Sequence, residues 1–275
     1  MHKKIKLKDV KNFWEKSHLF KGEIKNKKYN KIFFNKIYKI FIDEIYDARV
    51  IPSNINDKVI LDLGSGPGLW TRCFYLAGAK KIYSCDLTVK ANTLVKKMIN
   101  LFKYKSKIIV RNENAEKLKF KNSKFDHVHC TGVIHHTVKQ KNCIDEIARV
   151  LKKNGTATIG LYYDNFILKN WNLFYYLLKF FKYFQPNVNS RGRSGISNIK
   201  NKKELVRVYD GNDNPIGTLY TKQMIYKLLN KKFKILDIYL NFFPFRFFNF
   251  KTPKFMKRIL IRYFGFLIFI YCEKK

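Results

Sequence analysis

Gly64, Gly66 and Gly68 fall within five residues, directly after the apolar run Lys58 to Leu63 and ahead of a helix-patterned stretch through Tyr75 and Leu76. Glycine backbone turns sharply, admits a ligand to close approach and leads into helix N-terminal amides that attract electron-rich groups. The spacing is G-x-G-x-G, not the G-x-G-x-x-G of typical dinucleotide folds, and no G-K-[ST] follows to make a phosphate loop. A second chemical signal is Asp86, which closes the strand pattern Lys81 to Cys85 about twenty residues after the glycine turn; a carboxylate there can accept two hydrogen bonds from a ribose diol. Each signal also has a plain structural reading. The glycines suit an ordinary α/β connection, and Asp86, before Leu87 and Thr88, suits a helix N-cap. Their joint occurrence favours a ligand.

His135 and His136 follow a strand pattern at Phe125 to Cys130, at the carboxyl end where open α/β sheets bind ligands. A histidine there is suited to removing a proton from a hydroxyl near neutral pH. The alternative is that both shape a pocket or tie down a loop. Tyr162 and Tyr163 end a further strand pattern and either line an acceptor pocket or pack the core.

These residues need elements to hold them. Helix patterns at Val89 to Phe102 and Asn142 to Leu151 alternate with strand patterns at Lys107 to Val110 and Thr156 to Tyr162. Such alternation predicts a doubly wound, mostly parallel sheet with helices on both faces. Asn154 and Gly155 are read as the C-cap pair that stops the helix before the last of these strands. Residues 1–55 form a helical, aromatic N-terminal segment with Phe13, Trp14, Phe33, Phe34 and Tyr38. Residues 56–163 make the binding core, 164–218 an insertion or lid, and 219–275 complete the sheet with a helix at Thr221 to Leu229 and strands at Phe233 to Leu240 and Phe264 to Tyr271. The chain, 1–275, is expected to be one elaborated domain.

From Lys58 to Tyr163 the chain resembles the class I, Rossmann-like S-adenosylmethionine-dependent methyltransferase family. The likeness rests on the glycine motif, Asp86, Asn114-Ala115-Glu116-Lys117-Leu118, and Phe125-Asp126-His127-Val128 leading into Gly132-Val133-Ile134-His135-His136. It implies a seven-stranded sheet with an antiparallel last strand, assigned to Phe264 to Tyr271, and S-adenosyl-L-methionine as cofactor. Asp62, Gly64, Gly66 and Gly68 would then hold the methionine end, Asp86 the ribose, and Asn114 and Ala115 would lie beside the adenine, with Ser65, Leu87 and Thr131 also at the cofactor site. Many relatives carry Asp where this chain has Asn114, but an amide carbonyl can still accept from the adenine amino group. Methyl transfer is an in-line displacement in which positioning is the main task, so His135, His136, Tyr162 and Tyr163 are the acceptor-side candidates.

Enzymes of the family that methylate base amines commonly carry an [ND]-P-P-[YF] turn after the fourth strand; here the stretch is Thr131-Gly132-Val133-Ile134. The resemblance therefore points to a small-molecule or lipid-like acceptor. RNA methylation and a non-catalytic binding role are the alternatives. The net charge of +36 fits nucleic acid or an anionic membrane surface as partner, yet the lysines run along the whole chain, as they would from compositional bias.

Five cysteines without a C-x-x-C pair indicate reduced thiols and no metal site. With no secretory signal and no apolar run of roughly 18 residues, the expected location is cytoplasmic. Peripheral membrane attachment is suggested by Phe166 to Phe184, which reads as one basic amphipathic helix; burial of that helix against the core is the competing reading. The cluster from Phe242 to Phe250 adds further apolar surface.

Overall fold

The computed structural model describes residues 5–17, 29–45, 50–104, 107–184, 198–243 and 253–275. Its strands are β1 (Val59–Leu63), β2 (Lys81–Asp86), β3 (Ile108–Asn112), β4 (Phe125–Thr131), β5 (Leu151–Tyr162), β6 (Phe233–Asn241) and β7 (Leu267–Lys274). They form one seven-stranded sheet in the order β3-β2-β1-β4-β5-β7-β6. The pairs from β3 to β5 are parallel, whereas β7 runs antiparallel to both β5 and β6. The expected Rossmann-like sheet with an antiparallel last strand is thus present.

The described helices are α1 (Leu7–Lys16), α2 (Lys31–Ile45), α3 (Leu69–Leu76), α4 (Val89–Phe102), α5 (Gln140–Val150), α6 (Phe166–Lys169), α7 (Trp171–Phe184), α8 (Lys202–Val208), α9 (Lys222–Leu229) and α10 (Lys254–Phe264). Successive strand side chains point to opposite faces, and β1 has apolar residues on both, with Asp62 its one polar side chain. Ile60 packs with Phe34, Phe74 and Met98 of α2, α3 and α4, while Leu61 and Leu63 pack with Ile144 of α5 and Ile225 of α9. Helices on both faces account for a central strand without polar alternation. The strand order reverses direction between β1 and β4, and the crevice opens above their carboxyl ends, beside Gly64 and Thr131.

Several boundaries differ from the sequence reading. Asn154 and Gly155 lie inside β5, and the residue closing α5 is Leu151, already in extended conformation. The left-handed Asn154 (φ 58°) serves a bulge instead, where the β4 register jumps from Phe125↔Leu151 to His127↔Thr156. The stretch from Phe166 is two helices: the Asn170 side chain donates to the Phe166 carbonyl at 2.8 Å and ends α6. Phe264 is the last residue of α10, which the sequence reading missed, so the final strand starts at Leu267. Residues 185–197 of the insertion and 244–250 of the phenylalanine cluster lie outside the described residues.

Candidate functional site

The glycine turn hangs from β2: the amides of Gly64 and Ser65 both donate to the Cys85 carbonyl, at 2.7 and 3.0 Å. All three glycines have positive φ, from 52° to 85°. At Gly64 the requirement is also spatial, because a Cβ would sit 2.0 Å from Cγ2 of Val133 in the loop after β4. The Gly66 amide donates to Oδ2 of Asp86 at 3.0 Å, so the second chemical residue fastens the first. Oδ1 of Asp86 accepts from both the amide and the hydroxyl of Thr88. Thr88, not Asp86, is the N-cap of α4, accepting from the Ala91 amide. Burial pushes the Asp86 carboxyl up from its ordinary value, against the hydrogen bonds from Thr88 and Gly66.

One cleft gathers most of the expected residues. Gly64, Ser65, Gly66, Asp86, Leu87, Asn114, Ala115 and Thr131 line it, as do His136 and Tyr162. Among the described residues the buried Oγ of Ser65 has no protein partner, so a polar atom at the turn is left for a ligand. Asn114 Oδ1 accepts from the Glu116 amide at 3.0 Å and keeps a second lone pair.

Four expected residues stand elsewhere. Asp62 is buried and accepts from the Thr71 hydroxyl. Desolvation raises its carboxyl to about 7, with the nearby Asp86 charge adding and the Thr71 hydrogen bond opposing. Gly68 caps α3. Tyr163 packs in the core on the α5 and α9 side. His135 is fully buried, its two ring nitrogens have no partner among the described residues, and burial holds its imidazole well below the ordinary value. It stacks on Tyr162, with ring centroids 3.8 Å apart.

His136 therefore stands alone of the pair at the cleft. Its Nδ1 donates to the Ile216 carbonyl at 2.6 Å, which can only accept, so the proton there is fixed. Nε2 is 3.3 Å from Oδ2 of Asp210, a buried carboxylate that accepts from the Tyr162 hydroxyl. The segment carrying these partners is stitched to the histidine turn by Thr218 N–H to the His135 carbonyl at 2.9 Å. Asp210 carried no signal of its own in the sequence and fell within the insertion, residues 164–218. Trp14, Trp70, Tyr209 and Phe242, which wall the cleft, were legible only as aromatic excess.

The N-terminal segment closes the cleft. Leu7, Val10 and Trp14 of α1 line it, and the Trp14 and His136 rings stand 4.8 Å apart. Glu15 holds α1 in place by accepting from the first amides of α4, Val89 and Lys90, at 3.0 and 2.9 Å.

Comparison with known proteins matches residues 61–159 to a methyltransferase domain family. Residues 61–159 thus match a methyltransferase domain, set in a sheet of the Rossmann-like methyltransferase fold. No curated protein matches the sequence. Among solved structures, the fold is similar to magnesium protoporphyrin IX methyltransferase from Synechocystis with bound SAH, at 12% identity, TM-score 0.57 and coverage of 98% of this chain and 100% of that one. A putative S-adenosylmethionine-dependent methyltransferase from Listeria monocytogenes matches at 17% identity and TM-score 0.55, over 82% of this chain and 94% of that one. The [4+2]-cyclase SpnF matches at 12% identity and TM-score 0.53, over 92% and 84%. At such identities the likeness is one of fold.

The methyltransferase domain accounts for the turn and its neighbours, and S-adenosylmethionine is the cofactor that fits them. The side-chain-free cradle at Gly64 and Gly66, the unpartnered Ser65 hydroxyl and the Asp86 carboxylate offer the donors and acceptors that an amino acid and a ribose need. Among the described residues no cluster of His, Cys, Asp or Glu has the makings of a metal site, and all five cysteines are buried and unpaired.

Proposed function

We propose that the chain, as one elaborated domain, transfers a methyl group from S-adenosylmethionine to a small-molecule or lipid-like acceptor, in the cytoplasm and at a membrane face. The observation that carries this reading is the two-ended cleft. One end has the glycine turn and Asp86; the other has His136, Asp210 and Tyr162 between aromatic walls. Gly64, Ser65 and Gly66 hold the methionine end of the cofactor, Asp86 and Leu87 the ribose, and Asn114 and Ala115 the adenine. Thr131, 2.8 Å from Nε2 of His129 and beside Gly160, shapes the floor between the two ends. When bound, the cofactor supplies an electrophilic methyl on its sulfonium.

The protein's own part is to orient the acceptor and take its proton. A hydroxyl seated beside His136 gives its proton to Nε2, and Asp210 balances the imidazolium charge that results. Tyr162 holds the Asp210 carboxylate in place, and its ring, stacked on His135, fixes the wall behind it. Trp14, Trp70 and Phe242 exclude water and favour an apolar acceptor body. Asp62 braces the turn from beneath, through Thr71.

An RNA acceptor is less well matched, because the cleft is covered by α1 and walled by aromatics. A second reading, a methyltransferase fold used for other chemistry, has a precedent in the cyclase of similar fold. Incubation with methyl-labelled S-adenosylmethionine and fractionated extract of the native cells tests these readings together. Label in the organic-soluble or small-molecule fraction is expected. Label in RNA would overturn the acceptor class, and cofactor binding without label in any fraction would favour the non-methylating alternative.

A further inference from the structure

Helix α7 is apolar on nearly all sides. Its inner side is anchored: Trp171 and Tyr175 are buried in a cluster with Tyr162 and Tyr209, and the Trp171 indole donates to the Ile199 carbonyl at 3.0 Å. Its outer side is open, with Leu173 62%, Leu177 41% and Phe180 61% exposed at helical spacing. Helix α10 repeats the pattern with Phe255 64%, Ile259 49% and Tyr263 59% exposed. Phe166 joins the two, its ring 6.2 Å from Phe174 of α7 and 6.0 Å from Phe264 of α10, and it too is exposed. Two fixed helices thus hold adjoining rows of large apolar side chains in water, which monomeric surfaces rarely do.

The charge on these helices is of one sign. Together α6, α7 and α10 contain seven Lys or Arg and no Asp or Glu, in a chain that has 20 acidic residues elsewhere. We infer that the outer faces of α7 and α10 form a docking surface for an anionic phospholipid bilayer. Leu173, Leu177, Phe180 and their counterparts on α10 enter the acyl boundary, and long basic side chains such as Arg258 and Arg262 beside the α10 row reach the headgroup phosphates. Nucleic acid would use the cations and leave the apolar rows in water. A second copy of the same helices would set like charges against one another with no acidic partner on either. Among the described residues no helix is long and apolar enough to cross a membrane, so the attachment is to one leaflet.

The inner side of α7 belongs to the same core cluster as Tyr162 and Tyr209, which line the cleft, so docking brings the membrane near the acceptor end. That link to a lipid-like acceptor rests on the proposed methyltransferase reading; the docking does not.

The test is cosedimentation of the full chain with phosphatidylcholine vesicles, with and without about 30% phosphatidylglycerol, at low and high salt. Binding at least tenfold stronger to the anionic vesicles is expected, weakening at high salt. The variant Leu177→Ser/Phe180→Ser/Phe255→Ser/Ile259→Ser, altered only at exposed positions, should lose binding at least tenfold. A control, Ile32→Ser/Leu76→Ser, exposed on other helices, should bind as the parent does. Circular dichroism reports whether each variant is folded, and titration with S-adenosylmethionine tests the cofactor reading independently of docking. Failure to bind anionic vesicles at low salt, or equal binding by the fourfold variant, would overturn the inference, as would a concentration-dependent dimer abolished by those substitutions. A parent that binds vesicles without binding the cofactor would overturn the proposed function and leave the docking intact.

Discussion

His136 and Asp210, far apart in sequence, meet with Nε2 3.3 Å from Oδ2, and the carboxylate comes from outside the family-matched core. With Nδ1 committed to the Ile216 carbonyl, Nε2 is the nitrogen left for chemistry. Once an acceptor is known, Asp210→Asn and His136→Gln should each lower turnover at least about a hundredfold and keep the cofactor Kd within about threefold. The double variant should be little worse than either single one, because the pair acts as a unit. Near-normal turnover in either variant would reduce the pair to a shaping role.

Gly64→Ala should destabilise the protein by about 2 kcal/mol or more, since an alanine must hold φ near 75° and press its Cβ into Val133. Adding Val133→Ala should restore part of the loss by removing the clash while leaving the backbone strain. Urea unfolding of the three variants measures both effects. A second substitution that gives no recovery would mean the turn and the loop after β4 are not in the contact described.

The raised carboxyl of Asp62 predicts a particular pH dependence. Its value of about 7 in the fold against 3.8 as the ordinary one means that the folded state holds a proton the unfolded state loses between those limits. Stability from this group is therefore complete below about pH 4 and falls as pH rises towards 7. Asp62→Asn removes the titration. The stability of the variant relative to the parent should grow by up to about 4 kcal/mol between pH 4 and 8, measured without added cofactor. A difference that stays flat across the range would show that Asp62 is not desolvated as described.

The sheet and the cofactor end were legible because they are local in sequence: strand, glycine turn, helix and Asp86 lie within one short stretch, and periodicity marks each element. The acceptor end was not, because its members come from distant segments. Trp14 arrives on α1, Tyr162 on β5 and Asp210 after α8, and no spacing links them. Asp62 and His135 sit in motifs of the right type, but strand alternation turns Asp62 beneath the turn, and the short helical turn Ile134–His136 buries His135 behind Tyr162. Helix α10 was given no reading of its own, and its last residue, Phe264, was taken as the start of the final strand; in the fold Phe264 belongs to the helix and its ring lies 6.0 Å from that of Phe166.

The central claim is that the turn and Asp86 bind S-adenosylmethionine, and calorimetric titration of the purified chain tests it most directly. Asp86 both fastens Gly66 and faces the cleft, so its loss removes a charged acceptor worth about 1.5–3 kcal/mol. Saturable one-to-one binding is predicted for the parent, with Asp86→Ala weakened more than tenfold and its circular dichroism unchanged. Binding that is absent in the parent, or equal in a folded Asp86→Ala variant, would contradict the account.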